Sequence, residues 1–185
     1  DYWLSWGDDV DAVKGPIAGD SSFKLYYTGD LSTASGAAGP RKTNLALAKT
    51  DGTDYPHDYL EMGVPAPGSA PAVVGTGGTS TVSITRTYLY TYVTCTDAQG
   101  GSWSEEGPPS SVGTGTGKED AGWVISALST GTTGKYAWAG ATKRIYRALT
   151  DNSGNTNYQL ALNAVPIATT STSDTVADAA LGVIC

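Results

Sequence analysis

The chain has 185 residues, among them 24 Gly, 9 Pro, 11 Tyr and 5 Trp but only one Phe and one Met, a turn-rich and aromatic-rich mix that suits short strands and disfavours long helices. Its 18 acidic against 11 basic residues give a formal charge of -7, and the basic ones are dispersed apart from Arg41-Lys42 and Lys143-Arg144, which excludes a phosphate-coating stripe. The two cysteines, Cys95 and Cys185, form neither a disulfide framework nor a metal set, and no apolar run reaches the roughly 18 residues of a membrane helix.

Residues 1–64 read as an irregular β-rich unit with long loops. The runs Tyr2-Trp-Leu-Ser-Trp6 and Phe23-Lys-Leu-Tyr-Tyr-Thr28 predict short strands, and Gly29–Pro40 predicts a long surface loop. Asp8, Asp9 and Asp11 offer oxygen ligands, but without the spaced set ending in a bidentate Glu that a calcium loop needs. Gly19-Asp-Ser21 followed by Asp54-Tyr-Pro-His57 superficially matches esterase elements in which Ser21 would attack, His57 would take its proton and Asp54 would orient the ring. Those elements belong to an α/β fold, and this region reads as β. No catalytic role is assigned, and His57, the sole histidine, reads as a loop residue beside Pro56.

Pro65, Pro67 and Pro71 favour an extended connector, so residues 65–80 are read as a Pro/Gly linker ahead of a second unit, 81–185. Strands are predicted at about 81–96, 105–112, 121–128, 142–149, 157–165 and 170–176, with Asp151-Asn-Ser-Gly-Asn155 as a hairpin turn. Short strands at this spacing define an all-β sandwich.

In the first of these strands, a side-chain period of two puts Tyr88, Tyr90 and Tyr92 on one face and Leu89, Thr91, Val93 and Cys95 on the other. The aliphatic face is expected to be core. The tyrosine face is left to be covered by the same sandwich, by residues 1–64, or by a neighbouring subunit. Glu105 and Glu106 are adjacent on a strand and so point to opposite faces, which rules them out as a glycosidase pair. Gly113-Thr-Gly-Thr-Gly-Lys118 fails the phosphate-loop spacing at Val112 and Glu119, and reads as a flexible loop.

Tyr90-Thr-Tyr-Val-Thr-Cys-Thr-Asp-Ala-Gln-Gly100, continuing to Glu105-Glu-Gly-Pro-Pro-Ser110, resembles the penultimate strand and following turn of fibronectin type III-like modules. Lys143-Arg-Ile-Tyr-Arg147 resembles their third strand, and Tyr158-Gln-Leu-Ala-Leu162 with Thr172-Ser-Asp-Thr175 resembles the next edge strand and its return. The usual module has the Arg-Ile-Tyr-Arg strand before the Tyr-rich one. The reversed order here implies either a permuted immunoglobulin-like sandwich or two partial modules.

Together with Gly15-Pro-Ile-Ala-Gly-Asp20, Tyr26-Tyr-Thr-Gly-Asp30, Pro40-Arg-Lys-Thr-Asn-Leu45 and Gly63-Val-Pro-Ala-Pro67, these blocks resemble bacteriophage virion structural proteins of tail or nozzle type. That resemblance implies a non-enzymatic particle component without cofactor or metal, assembled in the host bacterial cytoplasm from copies of itself and other virion proteins. Proximity to DNA stays open, because an acidic surface is compatible with a conduit wall. Aromatic residues dominate interface hot spots, so the candidate contact residues are Tyr2, Trp3, Trp6, Tyr26, Tyr27, Tyr88, Tyr90, Tyr92, Trp103 and Trp138. The alternative is a secreted carbohydrate-binding or adhesin-type module whose Trp and Tyr rings stack on sugars. Strand-like text at both ends, Asp1-Tyr-Trp-Leu and Leu181-Gly-Val-Ile-Cys185, leads to the expectation that the chain is a segment of something longer.

Overall fold

The computed structural model describes residues 3–19, 21–29, 39–50, 56–95, 104–131, 134–150 and 156–184. The fold is all-β, built from several antiparallel sheets. It divides into two compact units, one of Asp1–Gly63 with Thr133–Tyr136 and the other of Val64–Thr132 with Ala137–Cys185.

The first unit is an antiparallel meander in the order β1-β2-β3-β4, from Asp11–Lys14, Leu25–Thr28, Arg41–Thr43 and Leu60–Glu61. A one-turn helix, Leu45–Ala48, follows the third strand because the Asn44 side chain accepts the Leu47 N–H at 2.9 Å. The small core is aromatic. Tyr27 is buried, with Trp6 tilted against it at 5.3 Å and Tyr59 edge-on at 6.5 Å. The Arg41 guanidinium lies 4.2 Å from the Tyr59 centroid and the Lys135 ammonium 4.5 Å, so two cations share one ring. Asp58 holds Lys135 at 2.6 Å. Burial alone would raise the Asp58 carboxyl, but its bonds to Lys135 and the Tyr59 N–H keep it below the usual carboxylate range.

The second unit is sandwich-like. Its small sheet runs β12-β9-β5, formed by Thr172–Asp174, Gly122–Ser126 and Ala72–Thr76. Ala72–Thr76 lies inside the stretch read as a linker, but every one of its five residues pairs with β9. The large sheet runs β11-β10-β6 from Thr156–Pro166, Thr142–Thr150 and Ser83–Cys95, and β6 then pairs with both β7 (Ser104–Glu106) and β8 (Gly113–Lys118). Between β7 and β8 the chain still follows β6, since Gly107 N–H bonds Tyr92 O at 2.9 Å and Ser110 N–H bonds Tyr90 O at 2.8 Å. The strand predicted at 105–112 is therefore interrupted, because Pro108 and Pro109 have no N–H to give to the ladder. Residues 151–155 lie outside the described residues; the strands flanking them pair at Thr150 and Thr156.

The core between the sheets contains Val73, Trp123, Ile125 and Leu128 on one side and Tyr88, Tyr90, Tyr92 and Ile145 on the other. Ile125 and Ile145 are both fully buried, each contributing roughly 1.5–3 kcal/mol. Of the three coverings left open for the tyrosine face, the same sandwich supplies it: Tyr88, Tyr90 and Tyr92 are core and at most 2% exposed, so they are not available as contact residues. Each ring fills the interior while its hydroxyl finds a polar partner from the opposing layer, which makes burial of tyrosine affordable.

One expectation is corrected at Gly113–Lys118, which is a strand rather than a loop. Its alternate glycines face β5 at backbone distance. A β-carbon on Gly115 would stand 2.2 Å from the Val73 carbonyl oxygen, and one on Gly117 would stand 2.8 Å from the Gly75 Cα. The glycines serve close approach between two strands, and Thr114 and Thr116 point outward beside Thr87 and Thr85 of β6.

Candidate functional site

Two arrangements of polar side chains stand out, and both tie layers together. Arg147 of β10 and Asp174 of β12 form a salt bridge at 2.6 Å with side chains 1% and 0% exposed. The second Arg147 nitrogen donates to the Val176 carbonyl at 3.0 Å and to Asp178 at 2.8 Å, and the Tyr88 hydroxyl donates to Asp174 at 2.8 Å. Burial first, then the bond to Asp174 and its charge, push the Tyr88 hydroxyl up to about 12. The hub joins the large sheet to the small one through ionic groups. Such a pair roughly breaks even against apolar residues, but losing one member strands a buried charge.

Lys143 is the other buried cation among the described residues of this unit. Its side chain faces the core two residues before Ile145, and its ammonium donates to the Ile167 carbonyl at 2.7 Å and the Thr169 carbonyl at 2.5 Å. No carboxylate is among these partners, and burial lowers its pKa to about 8. On the opposite face of the large sheet, Glu106 accepts from Thr91 at 2.5 Å and Tyr146 at 2.7 Å and is paired with Arg144. Burial opposes ionisation there, but these three donors outweigh it and keep the carboxyl below its ordinary value. Glu106 is thus a structural acceptor. Among the described residues no group of three His, Cys, Asp or Glu side chains is placed to hold a metal.

The predicted contact residues separate into distinct environments. Trp3 is 88% exposed and Tyr26 half-buried, whereas Trp6 and Tyr27 pack on each other. Tyr88, Tyr90 and Tyr92 are core, and Trp138 is half-buried with its ring edge-on to Tyr92 at 5.5 Å. Tyr2 and Trp103 lie outside the described residues, as do Asp54 and Cys185. Ser21 lines a cavity between β1 and β2, and His57 is exposed.

What the aromatic reading missed is the β1–β2 hairpin. All four residues of β1 are exposed, and β1 is an edge of its sheet. The Gly15 N–H bonds the Lys24 carbonyl at 2.8 Å, which sets the phase of the ladder: the backbone groups of Ala12 and Lys14 point to the open edge. Val13 is 64% and Met62 40% exposed, and both line a groove of about 290 Å³ with Tyr26 and Pro40. Beyond the strand, Ile17 and Phe23 are also exposed and line a second cavity of about 430 Å³. A signal was present: Phe23 is the only phenylalanine, and Val13 stands in a short strand with a charged residue at each end, Asp11 and Lys14. The chain matches no protein-family model, no curated protein and no solved structure.

Proposed function

We propose that this chain is a non-enzymatic structural protein of a phage virion, of tail, connector or nozzle type, which assembles with copies of itself through its β-domains. The observation that carries the reading is the open edge of β1: an exposed edge strand whose outward backbone groups have no partner among the described residues, carrying exposed Val13 and sharing a groove with exposed Met62. Natural monomers usually shield such an edge, so an unshielded one supports a neighbour that completes the sheet. In a ring the neighbour would present a different patch, which is a heterologous contact.

The fibronectin type III-like reading is supported by strand adjacency. Labelling β5, β9 and β12 as the family's first, second and fifth strands, and β10, β11, β6 and β8 as third, fourth, sixth and seventh, gives two layers whose neighbours agree with that module. The chain order departs from it. A simple circular permutation would place β5 between β8 and β9, yet β5 precedes β6. The β6–β8 hairpin is read as displaced to lie between the first and second strands of a single sandwich, so a second partial module is unnecessary.

Mass in solution tests the assembly reading. Light scattering on the purified chain should give a discrete multiple of 19.0 kDa, and Val13→Lys should reduce it to one copy with an unchanged circular dichroism spectrum. A single copy for the unaltered chain at the highest soluble concentration would refute it.

A further inference from the structure

We infer that the strand completing the sheet at β1 is β1 of a second copy, antiparallel and related by a two-fold axis that brings Val13 opposite its own counterpart. The inference rests on the assembly reading above and names the segment that does the pairing. Backbone geometry limits the choices. Asp11 and Val13 turn their N–H and C=O groups toward β2, where they oppose Thr28 and Tyr26, and Ala12 and Lys14 turn theirs to the open edge. In an antiparallel ladder outward residues bond to outward residues. Two copies of β1 therefore meet with Ala12 on Ala12, Lys14 on Lys14, or Ala12 on Lys14.

Side chains separate these three registers. Ala12 on Ala12 sets the Asp11 carboxylate directly opposite exposed Val13, a charge against an apolar group. Lys14 on Lys14 opposes two ammoniums and carries Ala12 onto Pro16, which has no N–H to return. Ala12 on Lys14 has neither fault. Each Ala12 exchanges both of its backbone hydrogen bonds with the other copy's Lys14, so every outward group of the strand is satisfied. Asp11 then faces Gly15 and Lys14 faces Ala12, which leaves no like charges directly opposite.

Between these two bonded pairs, Val13 meets Val13 in a non-hydrogen-bonded pair, where side chains come closest. Val13 is 64% exposed in the single copy and shares a groove with Tyr26, Pro40 and Met62, so the pairing covers apolar surface that one chain leaves wet. The contact is isologous and closes at two copies. A ring is built from such pairs through a further, heterologous contact.

Disulfide trapping on the full chain reads the register. In a Cys95→Ala, Cys185→Ala background, Val13→Cys puts two thiols on the axis, with Cα atoms about 4.5 Å apart, a separation that suits a disulfide. Mild oxidation should then give a covalent pair on a non-reducing gel, whereas Val74→Cys, exposed on the second unit, should stay single. Ala12→Pro deletes an outward N–H that makes no bond among the described residues, and an edge strand tolerates proline on that side. Its circular dichroism spectrum should match the parent, while the dissociation constant of the pair rises at least about tenfold. A multiple of 19.0 kDa by light scattering without a Val13→Cys pair, equal trapping of Val74→Cys, or an assembly indifferent to Ala12→Pro would overturn this pairing and leave the assembly reading intact. Single copies throughout would overturn both.

Discussion

Gly115→Ala is the sharpest probe of how the sandwich closes. The added carbon would stand 2.2 Å from the Val73 carbonyl oxygen, about 1.2 Å inside the 3.4 Å at which ordinary contact begins. That oxygen belongs to β5, whose five residues are paired with β9, so relief requires the strand to move rather than a side chain to swing. Moving β5 also withdraws Val73 from the core, adding lost packing to the overlap. Overpacking of this kind costs about 1–3 kcal/mol and more where backbone must shift, so a loss of about 3 kcal/mol is expected. With a urea dependence of about 1–3 kcal/mol per molar, the midpoint should fall by at least about 1 M. Gly122→Ala is the matched control. Its β-carbon would meet nothing closer than 3.8 Å, and its φ is not in the left-handed range. There the alanine should be neutral or stabilise by about 0.4–1 kcal/mol through the unfolded chain. Urea unfolding followed by near-ultraviolet circular dichroism decides between them. Equal midpoints for the two variants would refute the claim that glycine at 115 is required by strand-to-strand contact.

The buried tie gives a second contrast: Asp174→Asn leaves Arg147 charged and 1% exposed, at a cost of about 3–5 kcal/mol, whereas Asp178→Asn removes a partner that is 54% exposed and should cost under about 1 kcal/mol. Thermal melts of both variants should therefore differ by many degrees, and similar melts would show that Arg147 finds another partner. Lys143 predicts a pH effect. Its folded value of about 8 lies below the ordinary 10.5, so between these values the unfolded chain binds more protons and stability contributed by this residue rises with pH. The penalty, on the order of 3 kcal/mol, is full below pH 8 and gone above the unfolded value. Lys143→Met should remove that slope: the stability difference between parent and variant, from urea midpoints across pH 7 to 10, should shift in favour of the parent as pH rises, and a flat difference would refute it.

The β content was legible wherever side-chain type alternated along the strand or turn residues bounded it. Strands near 83–95, 122–126, 142–150 and 156–166 follow from alternation and turn residues, because those patterns are local. Gly113–Lys118 was illegible for a physical reason: a strand that contributes no apolar side chains leaves no periodicity of hydrophobicity, and its glycines acquire meaning only opposite Pro71, Val73 and Gly75. The tyrosine face was left open for a related reason. A tyrosine is buried only if its hydroxyl is satisfied, and the partners of Tyr88 and Tyr90, Asp174 and the Ser129 N–H, lie 86 and 39 positions away. The burial of Arg147 and Lys143 is likewise not local, because their partners come from beyond residue 165. As for the candidate site, weighting Trp and Tyr favoured rings that turned out to pack inward, such as Tyr27 and Tyr90, over the aliphatic edge of β1.

The pairing of Ala72–Thr76 with Gly122–Ser126 encloses the β6–β8 hairpin between its two partners in sequence. In topological terms β5 is a clasp: the β6–β8 hairpin and the β9–β12 pairing are made from segments after residue 80, and β5 lies across the bare ribbon of backbone at Gly113, Gly115 and Gly117. Pulling on the chain from residue 71 would therefore peel the clasp first and wet that ribbon, while the Arg147–Asp174 tie still holds the far side of the sandwich closed.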